Sequence, residues 1–389
     1  MPGSVGKTET QFFHYGDGGE PALALRCGQS LDRFTIAYEM YGEMSAGRDN
    51  VILLFHALSA SQHAAGITES VPGLAVEWDA ECQAGWWDGF IGPGKALDTD
   101  RFCVVCANYL GGCYGSTGPA SENPATGKPF GSAFPRVAVA DIVDSQIKLL
   151  DHLGVDMLHA TLGSSLGGLM ALSLATRYPG RVGTVIPLAS GVSTSVLQRI
   201  HNLEQIGAIE ADGNFKGGDY YGGDPPARGL ALARMIGHKS FISLRTLEKR
   251  AQRVVKDGME EDDSWYQLRQ PIESYMLHQG RKFVRRFDAN TYLRIMDAWQ
   301  SFDLLAEAGF SDYAEMFARC RHQRFLIFTI DSDVCFYPDQ QEELAEALAE
   351  GGVSPIRITV HSEKGHDSFL LEPELYTPHL HYTLEGRVG

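Results

Sequence analysis

The sequence predicts an α/β protein, in which a mostly parallel, doubly wound sheet is covered by helices and carries an inserted, all-helical segment. Short, nearly continuous apolar runs recur along the chain, as in "VILLFHA", "RFCVVCANYL" and "RFLIFTI". Strands that are buried on both faces have this composition, because helices cover both sides of a parallel sheet. Helical patterns separate the runs, as parallel strands require for their connections.

The order of these elements defines two regions. "RFTIAYEMYG" (33–42) alternates like a strand of an antiparallel opening, and buried strands follow from "VILLFHA" onward. Clear helical patterns occupy 135–154 and 338–352. Between "GTVIPLASG" and "RFLIFTI" the alternation stops, and the sequence is almost wholly helical in pattern, which is typical of a lid over one edge of a sheet. The predicted regions are a core of residues 1–193 and 311–389 and a lid of residues 194–310.

Composition limits the possible partners. The chain has 389 residues, of which 44% are apolar and 21% charged, as in soluble globular proteins with a sizeable core. The formal net charge of −16 excludes nucleic acid and an anionic membrane surface as main partners. A small anionic ligand remains compatible, because local arginines can hold it.

The cysteines and the apolar runs predict the compartment. Seven cysteines are few and odd in number, which favours a reducing environment over a disulfide framework. Cys103 and Cys106 lie in one strand, where their spacing points them to opposite faces, so we expect no shared metal. The chain starts without a signal-peptide core, and no apolar run reaches the roughly 18 residues of a membrane span. We therefore expect a cytoplasmic protein without membrane contact.

The corner "LGSSLGG" predicts a nucleophilic serine. In a G-x-S-x-G turn from strand to helix, the residues two before and two after the serine must be small so that both elements can close together. Around Ser165 these residues are Gly163 and Gly167, whereas around Ser164 they are leucines that would clash. Ser165 is therefore the candidate nucleophile, because this turn lifts its hydroxyl clear of the backbone.

A serine needs a base, and the base needs an orienting acid. In sheets of this kind the expected chain order is serine, acid, histidine, each after a later strand. "RFLIFTIDSDVCFYP" places Asp331 and Asp333 after one strand, and "PIRITVHSEKGHDSFLL" places His366 after the next. We favour Asp333, which lies further into its loop, while Asp331 remains the alternative and could instead hold the loop through turn hydrogen bonds.

Two backbone N–H groups are candidates for an oxyanion hole. The N–H of Leu166 follows the nucleophile, and that of Leu58 lies in the loop "HALSASQHAAG" after an early strand. His56 and His63 lie in the same loop without a third metal ligand nearby, so we assign His56 a structural role and expect no metal site.

Several stretches share a pattern with one enzyme family: "FHALSASQHAAG", "GWWDGFIGPGKALDTDRF", "GLALARMIGH", "RFDANTYL" and "GHDSFLLE". Together they resemble the homoserine O-acetyltransferase family of α/β-hydrolase-fold enzymes. The resemblance covers about 30–375 and is most specific from Gly85 to Pro135. It implies the α/β-hydrolase fold and acyl transfer from acetyl-CoA, as a co-substrate, to the side-chain hydroxyl of L-homoserine in methionine synthesis, with no bound cofactor.

The resemblance also implies roles for particular residues. The family's nucleophile, acid and base fall on Ser165, Asp333 and His366, and its substrate-binding residues fall on Arg234 and Asp367. A guanidinium can form two parallel hydrogen bonds with an amino-acid carboxylate, and a carboxylate can hold the ammonium group. The family's helical lid often forms a homodimer interface, so we also expect a homodimer.

Departures from the family pattern leave alternatives open. "HALSAS" replaces the usual threonine–glycine after the leucine, and Phe241 stands where many relatives have a tyrosine. The donor could therefore be succinyl-CoA, and the acceptor could be L-serine. An esterase or thioesterase would use the same three catalytic residues with water as acceptor, and an inactive hydrolase fold could serve as a small-molecule receptor.

Overall fold

The structure, a computed structural model, describes residues 3–252 and 268–386. Its centre is an eight-stranded sheet, and we number these strands in chain order. They are β1 (Gln11–Tyr15), β2 (Phe34–Tyr41), β3 (Val51–Phe55), β4 (Cys103–Ala107), β5 (Leu158–Ser164), β6 (Val182–Leu188), β7 (Arg324–Ile330) and β8 (Ile356–Val360).

The spatial order of the strands is β1-β2-β4-β3-β5-β6-β7-β8. β2 is antiparallel to both of its neighbours, β1 and β4. Every other pair in the sheet is parallel. The predicted fold class is confirmed, because a mostly parallel sheet with an antiparallel opening is what the apolar runs and the pattern at 33–42 indicated.

Helices connect the strands and cover both faces of the sheet. They are α1 (Val139–Leu153), α2 (Leu166–Arg177), α3 (Val196–Glu210), α4 (Ala227–Phe241), α5 (Leu244–Ala251), α6 (Pro271–Arg286), α7 (Ala289–Gln300), α8 (Leu304–Ala308), α9 (Tyr313–Ala318), α10 (Pro338–Glu350), α11 (Ser368–Leu371) and α12 (Thr377–Leu384). Short 3₁₀ turns occupy Gly131–Ala133, Pro179–Arg181, Lys216–Gly218, Gly365–Asp367 and Pro373–Leu375. Three small two-stranded ribbons pair Leu23–Ala24 with Ser30–Leu31, Ile91–Gly92 with Leu97–Asp98, and Glu122–Asn123 with Lys128–Pro129.

The sheet separates two apolar cores, and its side chains alternate between them. Along β3, Leu53 and Phe55 face one core, whereas Ile52 and Leu54 face the other. Cys103 and Cys106 likewise belong to opposite cores, so their predicted orientation to opposite faces of the sheet is confirmed. Burial on both faces explains the continuous apolar runs in the sequence, because neither face of these strands meets water.

The segment 194–310 contains α3 to α8 and differs in one place from the expected helical pattern. Residues 211–226 form turns around a 3₁₀ helix at Lys216–Gly218 rather than an α-helix. Gly217 and Gly222 have positive φ angles there, and Pro225 and Pro226 follow, so the backbone cannot continue as a helix. Part of the predicted helical segment, 253–267, lies outside the described residues. Among the described helices, none has the length and hydrophobicity needed to cross a membrane.

Candidate active site

Parallel strands bring distant parts of the chain to one edge of the sheet. Ser165, Asp333 and His366 follow β5, β7 and β8 respectively, and all three side chains are buried. Because these strands are parallel and separated only by β6, their carboxyl ends meet at the same edge. The residues singled out in the sequence therefore project from one edge of the molecule.

Ser165 occupies a strained turn between β5 and α2. Its backbone angles are φ 57° and ψ −124°, in a region that non-glycine residues rarely adopt. The N–H of Ser165 donates to the carbonyl oxygen of Leu188 at 2.9 Å, and its own carbonyl oxygen accepts from Gly168 at 3.0 Å. Strain of this kind persists where the surrounding structure holds it, and here it lifts the serine hydroxyl above the sheet edge.

The glycines of this corner are required by close approaches of neighbouring backbone and side-chain atoms. A Cβ on Gly163 would lie 2.0 Å from the carbonyl oxygen of Gly167, and a Cβ on Gly167 would lie 2.2 Å from that of Phe55. A Cβ on Gly168 would lie 2.4 Å from the Cβ of Ser190. The crowding of small residues in the sequence thus has a steric cause.

Replacing Gly167 with alanine is expected to destabilise the fold by roughly 1–3 kcal/mol or more, because a backbone oxygen occupies the space of the new methyl group. Urea unfolding followed by circular dichroism measures this change. Gly180→Ala is the matched control, since Gly180 is exposed, lies outside α3 and has nothing within 4 Å of an added Cβ. That variant should be unchanged or more stable by up to about 1 kcal/mol, and an equal loss in both would contradict the steric account.

His366 and Asp333 form a tight buried pair. Nδ1 of His366 lies 2.6 Å from Oδ2 of Asp333. The other oxygen, Oδ1, accepts hydrogen bonds from the backbone N–H groups of Cys335 at 2.7 Å and Phe336 at 2.9 Å. Because these donors stabilise the ionised carboxylate, Nδ1 carries the proton of the pair and Nε2 is left to accept one.

Aromatic rings enclose the imidazole of His366. Phe336 stacks against it with ring centroids 5.6 Å apart, and Phe369 meets it edge-on at 5.1 Å. Nε2 is buried and has no hydrogen-bond partner among the residues that the structure describes. The hydroxyl of Ser165 therefore makes no hydrogen bond to Nε2 in this structure. The distance between these two atoms can shorten when substrate binds.

The two candidate oxyanion donors lie at adjoining parts of the chain. Leu166 is the first residue of α2, and a first-turn N–H has no acceptor within its own helix. Gly167 packs against the backbone oxygens of Phe55 and His56, which brings the start of α2 to the loop that carries Leu58. The sequence-predicted donors are therefore on neighbouring segments beside Ser165.

His56 is buried and packs within this loop. Its ring stacks on Tyr109 with centroids 3.7 Å apart, and its Nδ1 lies 2.8 Å from the carbonyl oxygen of Ala57. Burial lowers the pKa of His56 to about 4, so the ring is neutral near pH 7. The Tyr109 hydroxyl also donates to the carbonyl oxygen of His56. These contacts give His56 a packing role in the loop.

Arg234 lies on α4, partly buried between two aromatic rings. Its guanidinium carbon is 4.8 Å from the ring centroid of Phe283 and 5.4 Å from that of Phe241. Nη1 lies 3.5 Å from the hydroxyl of Ser59. Within the described part of the chain Arg234 makes no salt bridge.

The charge of Asp367 acts on the guanidinium of Arg234. Burial lowers the pKa of Arg234, and the negative charge of Asp367 is among the nearby groups that oppose this shift. Phe241 lies between Arg234 and the Asp333–His366 pair, because its ring is also 6.2 Å from the imidazole of His366. The departure from the tyrosine of the family pattern therefore falls inside the candidate site.

The sequence did not reveal two residues of this site. Phe283 supports the guanidinium from α6, and Ser59 contacts it from the loop after β3. Both are far from Arg234 along the chain, and their residue types carry no spacing signal. Among the described residues, no group of three or more histidine, cysteine, aspartate or glutamate side chains is arranged to hold a metal ion.

Comparison with known proteins identifies the family. Residues 50–373 match the α/β hydrolase fold family. The homoserine O-acetyltransferase of Solidesulfovibrio magneticus is 40% identical over 371 residues, which cover 95% of this chain and 90% of that protein. The chain belongs to the homoserine O-acetyltransferase family. The homoserine O-succinyltransferase of Alkalilimnicola ehrlichii is equally similar, with 40% identity over 98% of this chain and 96% of that protein.

Solved structures agree with this family assignment. The homoserine O-acetyltransferase from Bacillus anthracis superposes with a TM-score of 0.85 at 25% identity, covering 98% of this chain and 99% of that one. Esterase E22 superposes with a TM-score of 0.84 at 25% identity, covering 97% of this chain and 100% of that one. The chain is thus an enzyme of the α/β-hydrolase class, as its sequence resemblance implied.

Proposed function

We propose that this enzyme transfers an acetyl group from acetyl-CoA to the side-chain hydroxyl of L-homoserine, with Ser165 as nucleophile. One observation carries the proposal: the buried Asp333–His366 pair and the guanidinium of Arg234 both lie by the ring of Phe241, and Arg234 makes no salt bridge within the described residues. The relatives named above transfer acyl groups to homoserine, which carries the carboxylate that such a guanidinium binds.

In the first half-reaction, Nε2 of His366 takes the hydroxyl proton of Ser165 as the serine oxygen attacks the thioester carbon of acetyl-CoA. The N–H groups of Leu58 and Leu166 hold the resulting oxyanion. The carbon–sulfur bond then breaks, and His366 returns its proton to the leaving thiolate. The products are CoA and an acetyl ester on Ser165.

In the second half-reaction, the acceptor occupies the space left by CoA. Arg234 binds the carboxylate of homoserine, and Asp367 binds its ammonium group. His366 removes the proton of the acceptor hydroxyl, whose oxygen attacks the acetyl ester and releases Ser165 with its proton restored. We also propose that the segment 194–310 acts as a lid, because excluding water favours transfer over hydrolysis.

Two other outcomes have a specific observation behind them. The similarity to a homoserine O-succinyltransferase supports succinyl-CoA as an alternative donor. The superposition on esterase E22 supports a hydrolase, in which water would take the acyl group. L-serine remains an alternative acceptor, since it carries the same carboxylate and ammonium groups. We place the reaction in methionine synthesis in the cytoplasm, in keeping with seven free cysteines.

Steady-state release of free CoA thiol separates these alternatives. Acetyl-CoA and succinyl-CoA are each assayed with L-homoserine, with L-serine and without an acceptor. We expect strong turnover only for acetyl-CoA with homoserine. Turnover with succinyl-CoA or with serine would change the donor or the acceptor of the proposed reaction. Thiol release at the same rate with and without an acceptor would contradict the transferase.

Replacing Arg234 with lysine is expected to raise the KM for homoserine roughly 10- to 100-fold, because a compact ammonium loses one of two charge-assisted hydrogen bonds. The KM for the acyl donor should change little. Initial rates at varied homoserine and fixed acetyl-CoA measure the effect. Arg319→Lys is a control, since that arginine packs on Phe310, outside the site. An unchanged homoserine KM in Arg234→Lys would show that the acceptor binds elsewhere.

We propose further that the enzyme is a homodimer formed through α3. Val196, Ile200 and Leu203 lie on one side of this helix and are 76%, 49% and 65% exposed. Apolar side chains at spacings of four and three residues form a continuous stripe along a helix, and such a stripe favours contact with another surface. A second copy of the chain would bury it against its own stripe, as two-fold symmetry requires.

Leu203→Glu is expected to shift the enzyme from dimer to monomer, because a charge in the middle of an apolar interface loses its hydration. Light scattering after size exclusion measures the mass directly. Met157→Glu is the matched control, since Met157 is 49% exposed and lies outside this helix. A monomeric wild-type enzyme, or a dimer that survives the Leu203 substitution, would contradict the interface.

A further inference from the structure

A second acid–histidine pair is buried away from the catalytic residues. Glu39 lies on β2, and His63 lies in the loop after β3 that also carries Leu58. Nδ1 of His63 is 3.0 Å from Oε2 of Glu39, and the two side chains are 0% and 1% exposed. The proposed reaction uses neither group, although each is of a type that is rarely buried without a reason.

The partners of the imidazole fix one of its protons. Nε2 of His63 lies 3.0 Å from the carbonyl oxygen of Gln83. A carbonyl oxygen only accepts hydrogen bonds, so Nε2 must carry a proton. The charge of the ring then depends on whether Nδ1 carries a proton as well, which in turn depends on the ionisation of Glu39.

The hydrogen bonds around Glu39 favour the ionised carboxylate. The hydroxyl of Thr10 lies 2.8 Å from Oε1 and already accepts from the Nε2 group of Gln62, so its own proton points to Glu39. The hydroxyl of Tyr41 accepts from the N–H of Ala64 and lies 2.9 Å from Oε2 of Glu39 and 3.0 Å from the carbonyl oxygen of Gln62, so its single proton serves one of these two oxygens. The Thr10 donor favours the ionised carboxylate, which then accepts from Nδ1 of His63 and gives the ring a second proton.

The titratable groups that face the pair are Tyr41 and Cys106. Burial raises the pKa of both, and the negative charge of Glu39 raises it further. Both therefore stay neutral near pH 7, and neither competes with His63 for the carboxylate. Among the described residues, the charges of this cluster are then the carboxylate and the imidazolium.

Glu39 and His63 hold the loop on the far side of Leu58. The Tyr41 hydroxyl that contacts Glu39 also lies 3.0 Å from the carbonyl oxygen of Gln62. At the near side, Tyr109 donates to the carbonyl oxygen of His56. Leu58 thus lies between two positions at which hydrogen bonds hold the loop. Loss of the hydrogen bonds at either position would let the N–H group of Leu58 turn away from the oxyanion.

We propose that Glu39 and His63 form a buried carboxylate–imidazolium pair that positions the Leu58 loop for acyl transfer. They are positioning residues, because neither touches the reacting atoms. The positioning role rests on the proposed function, whereas the charge state of the pair does not. The two parts are therefore tested by separate measurements.

Nitrogen NMR of the wild-type enzyme labelled with ¹⁵N-histidine tests the charge state. A His63→Asn sample assigns the signals. We expect both ring nitrogens of His63 to show the chemical shifts of protonated nitrogens near pH 7, because Nε2 faces a carbonyl oxygen and Nδ1 faces the carboxylate. An unprotonated Nδ1 near pH 7 would overturn the ion pair, whatever the enzyme's substrate is.

Acylation kinetics of Glu39→Gln test the positioning role. With p-nitrophenyl acetate and no acceptor, the nitrophenol burst reports formation of the acyl enzyme and does not depend on homoserine. We expect this rate to fall roughly tenfold or more, while the KM for homoserine changes less than about twofold, because Arg234 is untouched. An unchanged burst rate, or an equal change in both quantities, would overturn the role.

Two further variants complete this test. His361→Asn removes an exposed histidine–carboxylate pair of similar geometry, with Nδ1 of His361 2.8 Å from Oδ2 of Asp331, and should leave the burst unchanged. Thr10→Val removes one hydroxyl donor to Glu39 and serves if Glu39→Gln does not fold. We expect Thr10→Val to slow acylation by a smaller factor than Glu39→Gln. If Thr10→Val altered the His63 spectrum but acylated at the wild-type rate, the charge of the pair would not affect the Leu58 loop, and the positioning role would be overturned.

Discussion

Replacing Ser165 with alanine is expected to lower the rate of acyl transfer roughly 10⁴-fold or more, because no other group can form the acyl intermediate. The backbone strain at Ser165 holds the hydroxyl above the sheet edge, next to the first N–H of α2. Thiol release with saturating acetyl-CoA and homoserine measures the loss, and thermal unfolding verifies that the variant is folded.

Ser164→Ala is the matched control for this prediction. Ser164 precedes the nucleophile directly, ends β5 and is fully buried. Its hydroxyl has no hydrogen-bond partner among the described residues, so its removal should leave turnover within a few-fold of wild type. Loss of activity in Ser164→Ala with activity retained in Ser165→Ala would reverse the assignment of the nucleophile.

Replacing Asp333 with asparagine is expected to lower kcat by roughly 10⁴-fold through the wrong histidine tautomer. The N–H groups of Cys335 and Phe336 both point at Oδ1, so the amide oxygen of an asparagine must take that position. Its NH₂ group then faces Nδ1 of His366, which must accept a hydrogen bond. The proton of the ring moves to Nε2, where it blocks removal of the serine proton.

Asp331→Asn separates the two aspartates that the sequence left as candidates. The carboxylate of Asp331 is 41% exposed, contacts His361 and accepts from the N–H of Ser362 at 3.1 Å. It thus holds the loop after β8, the turn role that the sequence allowed for it. The kcat of Asp331→Asn, measured in the same assay, should stay within a few-fold of wild type, and a loss equal to that of Asp333→Asn would contradict the assignment of the acid.

Much of the fold and of the catalytic edge follows from local patterns in the sequence. Strands buried on both faces have continuous apolar runs, and this signal located β3 to β7. The glycines around Ser165 were informative because an added Cβ would lie within 2.5 Å of a backbone oxygen at Gly163 and Gly167, and of the Cβ of Ser190 at Gly168. The position of a residue just after a strand was enough to place Asp333 and His366 at the same sheet edge.

Local sequence patterns did not predict the contacts between segments that are distant along the chain. Phe283 supports Arg234, and Glu39 pairs with His63, but neither relationship depends on spacing along the chain. Both depend on how two separate elements pack. The turn region 211–226 is a different case, because its glycines and prolines were visible in the sequence and should have limited the predicted helix.

The acyl enzyme itself provides the most direct test of the account. Wild-type enzyme is mixed with acetyl-CoA without an acceptor, its intact mass is recorded, and L-homoserine is then added. We expect the mass to rise by one acetyl group on the peptide that contains Ser165, and to return to its original value only when homoserine is present, with O-acetylhomoserine as product. Loss of the acetyl group at the same rate without homoserine would show that water is the acceptor and would contradict the transferase.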